Sequence, residues 1–374
     1  MSLRYTGAWL QDGAFNPLVA PTPTTTYNIY SWGRNNQGQL GLGNTTATSS
    51  PTQIGTDNWT TVFASGGLAS YAIKTNGTLW AWGYNAAGQL GLGNITKYSS
   101  PKQVGSLTNW SSISGGSAGN AVAIKTDGTL WTWGDNTYGE LGLGNTTAYS
   151  SPKQVGALTN WLRVASGSYF IAAIKTDGTL WSWGGNTYGQ LGIGNVASVS
   201  SPMQVGALTN WLNVACGNNH TIAVKTDGTL WSWGGNTGGQ LGLGNTTRYS
   251  SPKQVGSLTN WATSSGGSLN SFCLKTDGTI WSWGANFNGQ LGLNNTTYYS
   301  SPKQIGALTT WKFSTGGAYS AGAIKTNGTL WMWGQNNVGQ LGLGNTTDRS
   351  SPNQVGALTG WLSMSTNYTT TALG

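Results

Sequence analysis

Apolar residues in this chain come in short bursts, separated by stretches rich in Gly, Asn, Thr and Ser. One burst, Ala172-Ala173-Ile174-Lys175, runs through Thr176 into Asp177-Gly178, and Thr179-Leu180-Trp181-Ser182-Trp183 follows. Asp-Gly supplies the positive φ of a tight hairpin, and alternate residues of a strand share a face. Trp181 and Trp183 are therefore expected on one face, Leu180 and Ser182 on the other. A polar loop from Gly184 to Val199 comes next. Pro202-Met203-Gln204-Val205 then predicts an edge strand, and Trp211-Leu212-Asn213-Val214-Ala215 another. No stretch long enough for a helix repeats its apolar positions with a period near 3.6. The unit is about four short strands.

The unit recurs along the chain. Its Trp-Gly pair falls at Trp32, Trp82, Trp133, Trp183, Trp233, Trp283 and Trp333, at intervals of 50 or 51 residues. A fixed period in this range marks an array of one supersecondary unit. A small sheet that is apolar on both faces does not stand alone, whereas packing blades around an axis buries both faces and protects the edges. The last copy stops at Leu373-Gly374, before its Asp-Gly-Thr-Leu-Trp strand. The first copy begins with that strand, Tyr27-Asn28-Ile29-Tyr30-Ser31-Trp32, and lacks the strand before it. Together the fragments make one blade. The expectation is an all-β, seven-bladed β-propeller over 27–374, closed by pairing of its N- and C-terminal strands. Residues 1–26 fall outside the repeat, with Tyr5, Trp9, Leu10 and Phe15 followed by a Pro-stiffened connector from Asn16 to Pro23. They are read as an extended arm and linker that anchor the chain to a protein partner in a larger assembly.

Composition adds a warning about surface chemistry. Only 7% of residues are charged and 59 of 374 are Gly, yet 21 Trp and 15 Tyr provide for a large core. The net charge of +8 is spread around the array. Lys74, Lys125, Lys175, Lys225, Lys275 and Lys325 share one repeat position, and Lys102, Lys153, Lys253 and Lys303 another. These are read as solvated loop lysines, and a nucleic-acid partner is not expected. Equal spacing would still favour a repetitive anionic partner through multivalency. Cys216 and Cys273 occupy different repeat positions and are read as core fillers. Neither a membrane-spanning run nor an apolar signal region is present in the sequence, so membrane insertion and a secretory leader are not expected.

Little is left for catalysis. Asp127, Asp177, Asp227 and Asp277 belong to turns, and Asp57 to a short loop. Asp135 and Glu140 lack the further ligands of a calcium loop, and His220 is read as a hydrogen-bonded structural residue. The run Gly189-Gln190-Leu191-Gly192-Ile193-Gly194 recurs in the other copies and opens no helix, which argues against a phosphate cradle. No enzyme, cofactor or metal is expected. Positions that differ between copies are the ones free to carry function. The residue after Asn-Thr-Thr, or its equivalent, runs Ala47, Lys97, Ala148, Ser198, Arg248, Tyr298, Asp348. Its neighbours include Tyr98, Tyr149, Tyr249 and Tyr299, and the Asn-x-x-Gly corner adds Tyr138, Tyr188 and Phe287, with Tyr84 just before it. Tyr84, Lys97, Tyr98, Tyr138, Tyr149, Tyr188, Arg248, Tyr249, Phe287, Tyr298 and Tyr299 are the candidate binding residues of one loop face.

Trp-Gly-x-Asn-x-x-Gly-Gln-Leu-Gly, a later Pro, Ala-x-Gly, and Leu/Ile-x-x-Asp-Gly-x-Leu-x-x-Trp-Gly resemble the repeat of the regulator of chromosome condensation family. The resemblance covers Tyr27 to Gly374 and implies a seven-bladed propeller. Cys216-Gly217-Asn218-Asn219-His220 keeps a His after the Gly, as that family often does; Ala69, Asn120, Phe170, Asn270 and Ser320 depart from it. The family's eukaryotic founder is a nucleotide-exchange factor for a small GTPase and a chromatin binder, using a β-wedge insertion and a basic tail. Copies of uniform length leave no room for such a wedge. Bacterial relatives include a secreted β-lactamase inhibitor that binds through aromatic residues on one propeller face. The expected function is a non-catalytic binding or display propeller on a virion surface, in a bacteriophage capsid or tail, presenting its loop face to a protein or glycan. A bacterial adhesin or protein inhibitor is the first alternative, and a guanine-nucleotide-exchange regulator the second.

Overall fold

A computed structural model describes residues 27–374. Seven antiparallel sheets of four strands each form the blades. Blades 1 to 6 span 59–103, 110–154, 161–204, 211–254, 261–304 and 311–354. In blade 3 the strands are Trp161–Ser166, Phe170–Lys175, Leu180–Gly184 and Val199–Gln204, from the axis outwards. Local chemistry fixes the central hairpin. Asp177 Oδ1 accepts from the Thr179 amide at 2.9 Å and from its hydroxyl at 2.6 Å, and Thr179 Oγ1 accepts from Trp181 Nε1 at 2.9 Å. One carboxylate thus sets the turn and the first indole of the returning strand together.

Blade 7 is assembled from both ends of the repeat region. Ser363–Thr366 and Thr369–Leu373 supply its two inner strands, Ile29–Gly33 and Thr48–Gln53 its two outer ones. Ile29 pairs with Leu373 and Gly33 with Thr369, which closes the ring as the sequence predicts.

The core is a set of interfaces between blades. Val122, Ile124, Leu130 and Val155 of blade 2 face Trp161, Ile171 and Trp183 of blade 3. Trp183 is fully buried, and its Nε1 donates across the interface to the Glu140 carbonyl at 3.0 Å. The same bond leaves Trp32, Trp82, Trp133, Trp233, Trp283 and Trp333 for the carbonyls of Gln340, Gln39, Gln89, Gln190, Gln240 and Gln290. Gly142 makes room for this approach: at φ +70°, an added Cβ would lie 2.6 Å from Trp183 Nε1. The glycine run that imitates a phosphate loop is therefore packing chemistry. Asn186, wholly buried, ties the long loop down, donating to the carbonyls of Asn195 and Ala197 and accepting from the Leu191 amide.

Candidate binding faces

Strand ends define two faces. The loop face carries the innermost hairpins, such as Ser166 to Tyr169, and the long loops between third and outermost strands. The turn face carries the Asp-Gly turns and the connections between blades.

On the loop face, aromatic rings gather in two groups. Tyr138 meets Tyr169 edge to face with centroids 5.0 Å apart. Phe287 lies 6.2 Å from Tyr298 and 5.4 Å from Tyr319, Tyr319 lies 5.6 Å from Tyr368, and the Arg34 guanidinium sits 5.5 Å from the Tyr368 ring centre. Burial, then hydrogen bonding with Tyr319, pushes the Tyr368 hydroxyl up to about 12, and Arg34 opposes the shift. Tyr138, Tyr169, Phe287 and Tyr298 remain 39–49% exposed, enough for a partner to cover. Arg248 lies over Tyr188 at 4.6 Å. Arg34, Tyr169, Tyr319 and Tyr368 were absent from the sequence candidates. Tyr169, Tyr319 and Tyr368 share a second variable position, in the innermost hairpin, held in the other blades by Leu68, Gly119, Asn219 and Leu269, and Arg34 stands where its neighbouring copy has Tyr84.

The remaining candidates are dispersed. Tyr98, Tyr149, Tyr249 and Tyr299 begin outermost strands and are half-buried, with Lys102, Lys153, Lys253 and Lys303 over their rings at 5.2–5.5 Å. Lys97 is exposed and donates to Gln37 Oε1 at 2.9 Å, and Tyr84 is half-buried where the long loop of blade 1 opens. The anchoring residues Tyr5, Trp9, Leu10 and Phe15 lie outside the described residues.

Titratable groups on this side are structural. Fully buried His220 meets Ser271 Oγ at 3.0 Å; since that hydroxyl donates to the Gln240 carbonyl at 2.7 Å, the imidazole donates through Nε2. Burial pushes it down to about 4, so the ring is neutral near pH 7. Asn218 bridges the channel mouth, accepting from Ser117 Oγ and donating to Ser268 Oγ at 2.6 Å. Glu140 occupies the site that Gln holds in the other blades; its Oε2 accepts from the Tyr138 amide at 2.8 Å and its Oε1 has no partner. Burial, helped by Asp135, pushes this carboxyl up to about 7. Asp135 is spent on its own turn, accepting from Asn136 and Thr137. Among the described residues, no three His, Cys, Asp or Glu side chains gather to hold a metal.

The regulator of chromosome condensation (RCC1) repeat profile matches residues 28–73, 76–123, 127–174, 177–224, 227–274, 277–323 and 327–371. The chain belongs to this RCC1 repeat family. Its sequence relatives include the X-linked retinitis pigmentosa GTPase regulator of Canis lupus familiaris, 33% identical over 136 residues, which are 35% of this chain. Protein RCC2 of Mus musculus is 40% identical over 48 residues, 13% of this chain. The matches span 14% and 9% of those two proteins. Among solved structures, Prp20p of Saccharomyces cerevisiae superposes with a TM-score of 0.81 at 20% identity, covering 94% of this chain and 92% of that one. Human WBSCR16 gives 0.84 at 19% identity, covering 94% and 99%. At these identities the superpositions establish the fold.

The turn face of this RCC1 propeller corrects one sequence expectation. Lys175 is not a solvated loop lysine: its Nζ lies 3.7 Å from the ring centre of Trp181 and 4.8 Å from that of Trp161. Lys74, Lys125, Lys225, Lys275 and Lys325 repeat the clamp, at 3.6–3.9 Å from the nearer indole. An ammonium is drawn to the negative face of an aromatic ring, for about 0.5–1 kcal/mol at an open site and more when desolvated. Burial pushes Lys125, Lys175, Lys225 and Lys275 below the usual lysine range, and the neighbouring Asp of each turn pulls them partly back.

Proposed function

We propose that this RCC1 propeller is a non-catalytic binding module that engages a protein partner through its loop face. The observation that carries the reading is two groups of loop-face aromatics, exposed Tyr138 and Tyr169 in one and exposed Phe287 and Tyr298 with half-buried Tyr319 in the other, built at positions that differ from blade to blade. Rigid aromatics offer contact area at low entropic cost, and a surface without sevenfold repetition suits one asymmetric partner. The finer reading places the propeller on a virion surface, held by residues 1–26, with the loop face turned outward to a protein or glycan. The sparse charge and the aromatic arm outside the repeat support it.

Native mass measurement of the assembly containing this chain, with and without residues 1–24, tests the tether. The full chain is expected in a large particle, and the shortened chain as a folded propeller outside it. If the shortened chain unfolds or stays in the particle, the tether is wrong. Phe287→Ala combined with Tyr319→Ala should leave that mass unchanged while releasing the loop-face partner.

An exchange-type regulator is the second reading. It draws on the family and on Prp20p, whose structure was described with its binding to Gsp1p and histones. Against it stand seven blades of four strands whose long loops between third and outermost strands all have the same length. Release of labelled nucleotide from a small GTPase should not accelerate at substoichiometric protein; acceleration would replace the first reading with the second.

A further inference from the structure

The turn face holds a second set of features that folding does not require. Leu107, Leu158, Leu208, Leu258, Leu308 and Leu358 stand two residues after a glycine in their copies and are 44–55% exposed. A half-exposed leucine repeated six times contributes little to the blade. Beside these leucines, grooves open between adjacent blades. The groove between blades 2 and 3 has a volume of about 440 Å³ and is lined by Leu143, Val155, Leu158, Trp181, Lys175 and Pro202. Equivalent grooves of about 390 and 410 Å³ lie between blades 4 and 5 and between blades 5 and 6.

The grooves between blades 2 and 3 and between blades 5 and 6 are lined by clamped lysines, Lys175 and Lys325, and Lys125, Lys225 and Lys275 repeat the clamp in the other blades. Lys125, Lys175, Lys225 and Lys275 are 5–6% exposed as residues, clamped between two indoles. Among the described residues none of these four nor Lys325 forms a salt bridge within 4 Å, and the turn Asp acts on the first four only from further away. Blade 1 differs. There the residue two after Gly55 is Asp57, and its carboxylate meets the clamped Lys74 Nζ at 3.0 Å. Blade 1 thus fills its own site with a carboxylate, where blades 2 to 6 offer the same ammonium beside an exposed leucine. Blade 7 has no lysine at the position, since Gly374 stands there.

We infer that blades 2 to 6 form five equivalent carboxylate-binding grooves, for the sugar units of an acidic, uronate-type polysaccharide. The clamped lysine receives the carboxylate, and Leu, Pro and the Trp edge receive the apolar C–H face of the sugar ring. Identical sites at equal angular steps match a polymer of identical units, in which each weak contact raises the effective concentration for the next. Asp127, Asp177, Asp227 and Asp277 sit two residues beyond four of the lysines and offset part of their charge, while Lys325 has Asn327 at that position. Nucleic acid, with dense phosphates, calls for clustered cations and forked guanidiniums, which this face lacks.

Calorimetric titration of the full chain with galacturonate oligomers of increasing length tests the inference. Affinity should climb with length, by about 100-fold once several grooves are spanned. It should fall as salt rises from about 0.05 to 0.5 M. Neutral glucans of the same length should not bind. Replacing Lys125, Lys175, Lys225, Lys275 and Lys325 together by Met should abolish binding. Because that variant removes five cation–π clamps, a second keeps them. Leu107→Asp, Leu158→Asp, Leu208→Asp, Leu258→Asp and Leu308→Asp, combined, change only exposed positions and install the carboxylate that blade 1 carries. This second variant should melt as the parent does and bind at least tenfold more weakly. Unchanged binding by either folded variant overturns the inference. So does equal binding of neutral glucan, or tighter binding of polyglutamate or duplex DNA at the same charge.

Discussion

The two faces of this propeller are built from the same repeats and differ in what the repeats leave constant. On the turn face, one Lys is held between two Trp in blade after blade, with a Leu beside it. On the loop face, the hairpin and long-loop positions change with each copy, and among the described residues aromatics meet where blades 2 and 3, or blades 5, 6 and 7, happen to supply them. Constancy on one face offers many equal contacts, and variation on the other offers one particular surface. A third class of constant positions, Trp183 and its copies, lies buried beneath both faces and supports each.

The harshest way to break this comparison is to open the ring. Removing residues 369–374 takes away a strand that pairs with both Ile29–Gly33 and Ser363–Thr366, leaving two bare edges and two uncovered apolar faces. Both faces should fail together, with a loss comparable to the whole stability of a domain, about 5–15 kcal/mol. Thermal unfolding at an unchanged temperature would show that closure does not hold the blades.

A smaller effect sharpens the distinction between buried constancy and exposed variation. Glu140 is the one acid at a site where the other blades place Gln, and its folded carboxyl titrates near 7 against an ordinary 4.5. A raised carboxyl favours the folded state fully below its unfolded value, and the advantage is lost as pH rises. Glu140 should therefore cost about 3 kcal/mol of stability as pH rises from about 4.5 to 7. His220, pushed down to about 4, adds stability over much the same range, so the Glu140 effect is read as the difference between parent and variant. Glu140→Gln removes only the Glu140 component, so its stability relative to the parent should rise between about pH 4.5 and pH 7, and it should melt higher at pH 8. Denaturant unfolding across pH decides it, and parallel profiles would remove Glu140 as the cause.

The smallest change is expected at a variable position. Tyr169→Ala loses an exposed ring whose neighbour is Tyr138, worth about 1 kcal/mol or less. A drop of several kcal/mol would mean that the Tyr138–Tyr169 pair is core rather than contact surface.

By itself the sequence determined the blade. Trp-Gly spacing sets the number of copies, Asp-Gly sets the hairpin, and alternation sets which residues face a neighbouring blade. These are local rules, each readable within a few residues, and the incomplete first and last copies carry the closure. Tertiary structure decided which residues meet. Asp177 could be placed in its turn from its neighbour Gly178, but the glycine at 142 exists for an indole 41 positions later in the chain, in the next blade. Lys175 read as a loop lysine because its two indoles come from other strands, Trp161 before it and Trp181 after the turn. Tyr319 and Phe287 belong to different blades and share a surface only because the ring brings a hairpin beside its neighbour's long loop. Periodicity is a property of one strand at a time, whereas a binding face is a property of the distances between strands.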